Sequence, residues 1–148
     1  MTQPDIMVIM SQEAYNRFAH ELTPGGTCIM EEDLARVSNL SRDKKVFAIP
    51  ATRFAEELGK RMVVNSVMVG FFTSVTKLLS ADALRRAVAD SVPSSFRELN
   101  LKAFEKGYEY GLNARAGAPP ELEEVVSTGI DPARPSTATP HHNEMRSQ

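Results

Sequence analysis

The chain has 148 residues, 42% of them hydrophobic, which is enough for one globular core and not obviously for two. Its net charge of -2 provides no general attraction for nucleic acid or anionic lipid. Because residues 1–5 lack a basic segment followed by a long apolar one, we do not expect them to act as a secretion signal. The single Cys28 cannot form an internal disulfide and lies in an apolar run, so a buried thiol in the cytoplasm is favoured over a nucleophile.

The first third of the chain predicts two strands and a helix. Residues 5–10 form a continuous apolar run, which is typical of a strand buried on both faces. Ser11 is placed to cap a helix over 13–22. The breaker 23–26 contains Pro24 and two glycines, and a second buried strand follows at 27–30.

A third strand at 46–49 ends at Pro50, and Thr52 is placed to cap the next helix, which stops at Gly59. The run 62–79 then predicts a mostly buried helix. Its glycine, Gly70, indicates that another backbone comes close. Eight apolar residues share one arc of this helix: Val64, Val67, Met68, Phe71, Phe72, Val75, Leu78 and Leu79.

A membrane span is the competing interpretation of 62–79, and the polar residues Asn65, Ser66 and Lys77 argue against it. Because three strands make a small sheet, we expect part of the arc to need a partner as cover.

Two further helices are predicted. Ser80 caps the first, over 81–91. Its inner face carries Leu84, Ala87 and Val88, and its solvent face carries Arg85, Arg86 and Asp90. The second covers 96–110, with Ser95 and Glu98 spaced as a capping box and Gly111 near its end. Its inward residues are Leu99, Ala103, Phe104 and Tyr108.

These elements predict an α/β domain over residues 1–115, with a small parallel sheet and flanking helices. Residues 116–148 form a Pro-rich tail that we expect to be disordered, since its few large apolar side chains cannot offset the entropy of ordering. Four of them could pack as a short docking segment: Leu122, Val125, Val126 and Ile130.

Ligands of parallel sheets bind at the carboxyl ends of the strands, which directs attention to the residues after each strand. These are Ser11 and Gln12, then Glu31, Glu32 and Asp33, then Pro50, Ala51 and Thr52. The acidic trio could bind Mg²⁺, although a solvated loop is favoured. Ser11, Thr52 and Asn65 are weak cofactor-binding candidates. For Asn65 and Ser66, a role in capping or packing their helix is favoured over facing a ligand or a partner. We identify no catalytic residue and no metal site.

Several motifs follow one another along residues 4–111: Pro4-Asp5-Ile6, SQEAY at 11–15, Pro24-Gly25-Gly26-Thr27, Ile49-Pro50-Ala51-Thr52, Ala55-Glu56-Glu57-Leu58-Gly59, the stretch 65–70, and ELNLKAFEKGYEYG at 98–111. In this order they resemble the second half of the gamma subunit, or gamma domain, of 2-oxoacid:ferredoxin oxidoreductases, and are most similar to the 2-oxoglutarate branch.

The resemblance implies a complex that decarboxylates a 2-oxo acid to an acyl-CoA, using thiamine diphosphate, Mg²⁺ and 4Fe-4S clusters, and that reduces ferredoxin. It implies that these cofactors belong to alpha, beta and possibly delta subunits, so that this chain alone binds none and is not catalytic. One cysteine agrees with that, since a cluster needs four thiolates.

Two features depart from the resemblance. The glycine-rich GxGGxG half that opens the family's gamma domain is not found in the sequence, and Arg53 stands where an acidic residue is usual. Three explanations of the missing half stay open: a truncated start, a separately encoded half, or retention of the chain for a different use. The alternative function is accordingly an interaction module that has lost the enzyme role, and a stand-alone nucleotide-binding protein is a third.

Overall fold

The computed structural model describes residues 2–116, and the predicted tail therefore lies outside the described residues and stays a prediction. Three strands are present: β1 (Ile6–Ile9), β2 (Thr27–Glu31) and β3 (Lys45–Ile49). The five α-helices are α1 (Gln12–Phe18), α2 (Ala51–Glu57), α3 (Val64–Thr76), α4 (Ala81–Asp90) and α5 (Ser94–Ala116). Short 3₁₀ turns follow α1 (Ala19–Glu21) and precede α3 (Arg61–Val63).

The strands form one parallel sheet in the order β1-β2-β3, which confirms the predicted α/β fold. One face packs on α1, where Tyr15 and Cys28 are buried, and the other packs on the remaining helices, where Ile29 and Phe71 are buried. Each face of the sheet therefore carries helices of this chain. The expectation that part of the apolar arc is left exposed is confirmed only at its C-terminal end, because Phe71 is fully buried within the domain whereas Leu78 and Leu79 are exposed. That a partner covers this end stays a prediction.

Continuous apolarity predicts a strand buried on both faces, and this holds for β2 but is wrong for β1. From Cys28 onwards, every residue of the central strand is buried. In β1, Val8 is 45% exposed, because this strand lies at the edge of the sheet. The sequence run alone does not distinguish the two positions.

The helix ends test the predicted caps. Ser11 is the N-cap of α1, and its hydroxyl accepts a hydrogen bond from the Ala14 nitrogen at 3.1 Å. Gly59 ends α2 with a φ of 87°, in the paired Schellman hydrogen bonds that favour glycine. The assignment of Thr52 as a cap is wrong, because α2 begins at Ala51 and Thr52 lies within its first turn.

The buried helix is shorter than the run 62–79 predicts. Lys77 adopts the left-handed conformation, with a φ of 52°, and this ends α3 at Thr76. Leu78 and Leu79 consequently leave the predicted arc and are 62% and 57% exposed. Among residues 2–116, no helix is long and apolar enough to cross a membrane.

Helices α3 and α5 run parallel and touch backbone to backbone. A methyl group at Gly70 would overlap the carbonyl oxygen of Phe104, and one at Gly107 would overlap that of Val67. The close approach predicted at Gly70 is thus present, and a second glycine makes it reciprocal. Farther along, Gly111 lies against Ser74, since α5 continues to Ala116 instead of ending near residue 110.

The charged side of α4 is not simply the solvated face that the sequence predicts. Arg85 is half-buried: its guanidinium binds the carboxylates of Asp82 and Glu105 and lies 5.1 Å from the centre of the Tyr108 ring. Ala87, predicted to face inward, is exposed. Neighbouring Val88 is buried as predicted.

The predicted capping box at the start of α5 is wrong. The helix begins at Ser94, so Ser95 already lies inside its first turn. The Glu98 carboxylate binds Lys102 at 2.8 Å, one turn along the exposed face.

We predict that Gly107→Ala destabilises the domain by about 3 kcal/mol, because the added methyl group has no space beside the Val67 carbonyl. Helix propensity alone would favour alanine by about 1 kcal/mol, so the sign of the change separates the two effects. Urea unfolding of the variant measures the difference. Asn113→Ala, at an exposed position of the same helix, is the control and should change stability by less than about 0.5 kcal/mol. A Gly107→Ala variant as stable as the parent would contradict the packing.

Candidate functional site

The segments that follow the three strands lie at the same end of the sheet, the carboxyl end of the strands, because the strands are parallel. Gln12 binds the backbone of Arg36, accepting from its nitrogen at 2.7 Å and donating to its carbonyl oxygen at 3.3 Å. On the other side, Arg53 of α2 binds Glu32 and Asp33. The loop after β2 is therefore fastened to the helices that follow β1 and β3.

The acidic trio separates into two environments. Glu31 is fully buried; its Oε1 accepts a hydrogen bond from the Thr52 nitrogen at 3.3 Å, and its Oε2 has no hydrogen-bond partner within the described residues. Glu32 and Asp33 lie nearer the surface and share the Arg53 guanidinium, at 2.6 and 2.7 Å. The guanidinium takes the place that a cation would need.

Within residues 2–116, no group of three or more histidine, cysteine or acidic side chains is arranged to hold a metal ion. The structure shows what surrounds Arg53, which stands where the family usually has an acidic residue. A cation in the first turn of α2 is unfavourable for the helix dipole, but here two carboxylates accompany it. All three side chains are at least one-third exposed, so water screens their attraction and the cluster adds little to stability.

The three cofactor-binding candidates lie on three different helices: Ser11 caps α1, Thr52 is in α2 and Asn65 is in α3. Ser11 is exposed, and its hydroxyl oxygen serves the cap of α1. Thr52 is buried and offers its backbone nitrogen to Glu31. Asn65 is exposed in the first turn of α3, on a different element from the other two.

Of the two favoured roles of Asn65 and Ser66, capping is wrong, because α3 starts at Val64 and its N-cap, Val63, makes no side-chain bond. Packing is confirmed for Ser66, which is buried. The Ser66 hydroxyl donates to the Asn100 side-chain oxygen at 2.7 Å. Asn100 in turn donates to the Phe96 carbonyl at 2.9 Å. This polar chain links α3 and α5.

Sequence reasoning missed an aromatic group beside this end of the sheet. The Tyr110 ring contacts those of Phe54 and Phe71, with centroids 5.4 and 5.9 Å away. Burial, with the nearby Glu32 carboxylate, raises the pKa of Tyr110, so it remains a neutral phenol. The four-residue step from Gly107 to Gly111 indicates that α5 continues past Tyr110, and it is the signal that could have placed this ring.

Cys28 is buried as predicted, and burial raises the pKa of its thiol to about 11. The thiol is therefore protonated at neutral pH, whereas a nucleophile or metal ligand needs the thiolate. The possibility of a cysteine nucleophile loses its physical support.

The fold is that of an α/β domain. At the carboxyl end of its sheet, the residues after the strands bind one another, and among the described residues we identify no catalytic group there. Comparison with known sequences gives its family. The chain belongs to the pyruvate ferredoxin/flavodoxin oxidoreductase family, whose profile matches residues 1–110.

Among related proteins, the 2-oxoglutarate synthase subunit KorC of Methanocaldococcus jannaschii is 39% identical over 109 residues, covering 72% of this chain and 58% of the relative. The pyruvate synthase subunit PorC of Methanothermobacter thermautotrophicus is 40% identical over 67 residues, covering 45% of this chain and 37% of the relative. The chain thus spans little more than half the length of the first of these relatives.

The fold has a solved counterpart. The crystal structure of the keto/oxoacid ferredoxin oxidoreductase gamma subunit from Geobacter sulfurreducens superposes with a TM-score of 0.68 at 32% identity. The match covers 76% of this chain and 66% of that one. The resemblance read from the sequence motifs is confirmed.

We predict that Cys28 reacts with a soluble maleimide at pH 7.5 at least 100-fold more slowly in the folded chain than in guanidinium, because its thiol is buried and protonated. An exposed thiol introduced by Ser95→Cys is the control and should react at about the unfolded rate. Rapid labelling of folded Cys28 would contradict its burial.

The same pKa predicts an alkaline loss of stability. Since folding raises the pKa of Cys28 from 9.0 to about 11, the unfolded chain gives up its proton first, and stability falls as the pH rises between these values. Urea unfolding from pH 8 to 11 measures it. In the Cys28→Ala variant the loss of stability between pH 9 and 11 should be smaller. If the pH dependence of this variant equals that of the parent, groups other than Cys28 cause the loss and the prediction is wrong.

Proposed function

We propose that the chain serves as the gamma subunit, or part of the gamma subunit, of a cytoplasmic 2-oxoacid:ferredoxin oxidoreductase. The complex would convert 2-oxoglutarate or a related 2-oxo acid to an acyl-CoA and CO₂ with reduction of ferredoxin. The observation that carries the proposal is the family match over residues 1–110, together with the gamma-subunit fold.

The 2-oxoglutarate branch is favoured by how much of the chain aligns. The KorC subunit aligns over 72% of this chain, and the PorC subunit over 45%, at nearly equal identity. The longer match favours a 2-oxoglutarate complex.

A non-catalytic role fits the chemistry of the described residues. The single cysteine of the sequence cannot supply the four thiolates of a 4Fe-4S cluster, and its thiol is buried and protonated. The carboxylates of Glu32 and Asp33 are bound to Arg53. Thiamine diphosphate, Mg²⁺, the clusters and CoA would therefore belong to the assembled complex and its other subunits.

The outer edge of β1 is the surface that we assign to contact with those subunits. This strand carries no charged residue, proline or bulge that would block pairing, and Val8 is 45% exposed. The first residue of the opposite edge strand, β3, is the exposed Lys45, which discourages pairing there. A strand from a partner subunit can extend the sheet along β1.

The test is purification of the complex through an affinity tag on this chain, expressed with its native genomic neighbours. We expect co-purification of a thiamine-diphosphate subunit and reduction of a viologen dye that requires both 2-oxoglutarate and CoA. Val8→Lys should reduce the co-purified subunit at least tenfold, because a charge on the pairing edge opposes strand addition.

The control is Asn113→Lys, the same substitution at an exposed position of α5, which should leave assembly and activity unchanged. Failure of the tagged chain to bring down any thiamine-diphosphate subunit would contradict the proposal. Unchanged oxidoreductase activity after deletion of the gene would favour the alternative, an interaction module that has lost the enzyme role.

A further inference from the structure

Exposed leucines collect at one end of the α3/α5 pair. Leu78, Leu79 and Leu112 are 62%, 57% and 41% exposed, and we call them the leucine patch. The other exposed large apolar side chains of the described residues are Val8, Phe18, Leu34 and Met62.

The helix directions place the three leucines together. Because α3 and α5 run parallel, their C-terminal ends lie side by side, and Arg115 donates to the Val75 carbonyl at 3.0 Å. Leu78 and Leu79 continue from this end of α3 into α4. Leu112 lies one helical turn beyond Tyr108, on the face of α5 that α4 covers.

Contacts along α4 support this arrangement. Arg97, near the start of α5, binds the Ala89 carbonyl near the end of α4, whereas Arg85 binds Glu105 farther along. Helix α4 is therefore antiparallel to α5, and its first turn approaches the end that carries Leu112. The segment Leu78-Leu79 enters α4 at the same end.

The chain itself continues from this place. The described part of α5 ends at Ala116, and 32 further residues follow in the sequence. Leu122 is six residues on, which gives it a reach of about 20 Å, ample for a surface at the end of the same helix.

The sequence of residues 121–130, ELEEVVSTGI, has the pattern of a short amphipathic helix. Leu122, Val125, Val126 and Ile130 recur at helical spacing, with Pro120 ahead of them and Gly129 near the end. They are the large apolar residues of the tail that the sequence singles out. An apolar stripe of this kind needs a surface on which to pack.

The charges beside residues 121–130 and beside the leucine patch are opposite in sign. Glu121, Glu123 and Glu124 accompany the apolar stripe. The leucine patch is flanked by the exposed cations Lys77 and Arg115.

From these observations we propose that residues 121–130 dock on the leucine patch of the same chain, covering Leu78, Leu79 and Leu112. The interaction is intramolecular, so it is independent of protein concentration and of the other subunits. Its function is to shield an apolar end of the helix pair that three exposed leucines would otherwise leave open to non-specific contact.

The test uses the full chain carrying Leu79→Cys, whose labelling by a soluble maleimide reports the exposure of the patch. We expect this thiol to react at least tenfold more slowly than the thiol of Ser95→Cys, which lies at the opposite end of α5. Adding Val125→Asp and Val126→Asp should restore the rate. These substitutions leave every residue of 2–116 unchanged, and we expect the fold of that part to be kept.

The matched control adds Thr137→Asp and Thr139→Asp, the same charge change in the tail outside residues 121–130, and should leave the protection unchanged. Equal labelling of the two thiols in the parent chain would overturn the proposal. So would protection that survives Val125→Asp and Val126→Asp, or protection that grows with protein concentration, which would indicate a second copy as the occupant. Protection that arises only on addition of the other subunits would assign the patch to a partner instead.

Discussion

The backbone contact between α3 and α5 is the constraint on which the other packing depends. Where two helices touch at Gly70 and Gly107, neither residue can carry even a methyl group. The close approach buries Ser66 and Ser74, small polar residues that a wider spacing would leave hydrated, and it brings the Ser66 hydroxyl to Asn100. A buried hydroxyl must find a partner, so the hydrogen bond and the close crossing support each other.

From that pair the rest of the domain follows. The apolar side of α3, including Val67 and Phe71, covers the sheet, and α5 carries Tyr110 to the aromatic contacts with Phe54 of α2. Helix α2 in turn offers the Thr52 nitrogen to Glu31 and the Arg53 guanidinium to the loop after β2. The strand-end region, where an enzyme of this architecture would place its ligand, is thus occupied by contacts that maintain the fold. This arrangement supports the proposal that the chemistry resides in other subunits.

Much of the fold could be predicted from the sequence, because apolar runs and caps act locally. The three strands, the Ser11 cap and the Gly59 stop each depend on a few neighbouring residues. The errors lie where tertiary position decides. Val8 is exposed because β1 is an edge strand, Lys77 ends α3 by adopting a left-handed conformation, and Ala87 faces solvent although its spacing suits a core.

The candidate site was less predictable for the same reason. The sequence does not distinguish the adjacent carboxylates Glu31 and Glu32. In the structure Glu31 is buried at the end of β2, whereas Glu32 binds Arg53, which lies 21 residues away along the chain. Gly70 and Gly107 each lie among small residues spaced four apart on their helices, which would suggest that the two glycines pair. The sequence does not show, however, that the two helices are neighbours. The family resemblance, by contrast, depends on the order of motifs and not on which residues touch.

Native-state hydrogen exchange tests the central claim, that the α3/α5 pair and the sheet form one cooperative unit, most directly. We expect the slowest amides of α3, α5 and β2 to open together, with the same free energy and the same dependence on denaturant. Opening of α3 and α5 at a distinctly lower free energy than β2 would show that the helix pair is an accessory to the sheet, and it would contradict this claim.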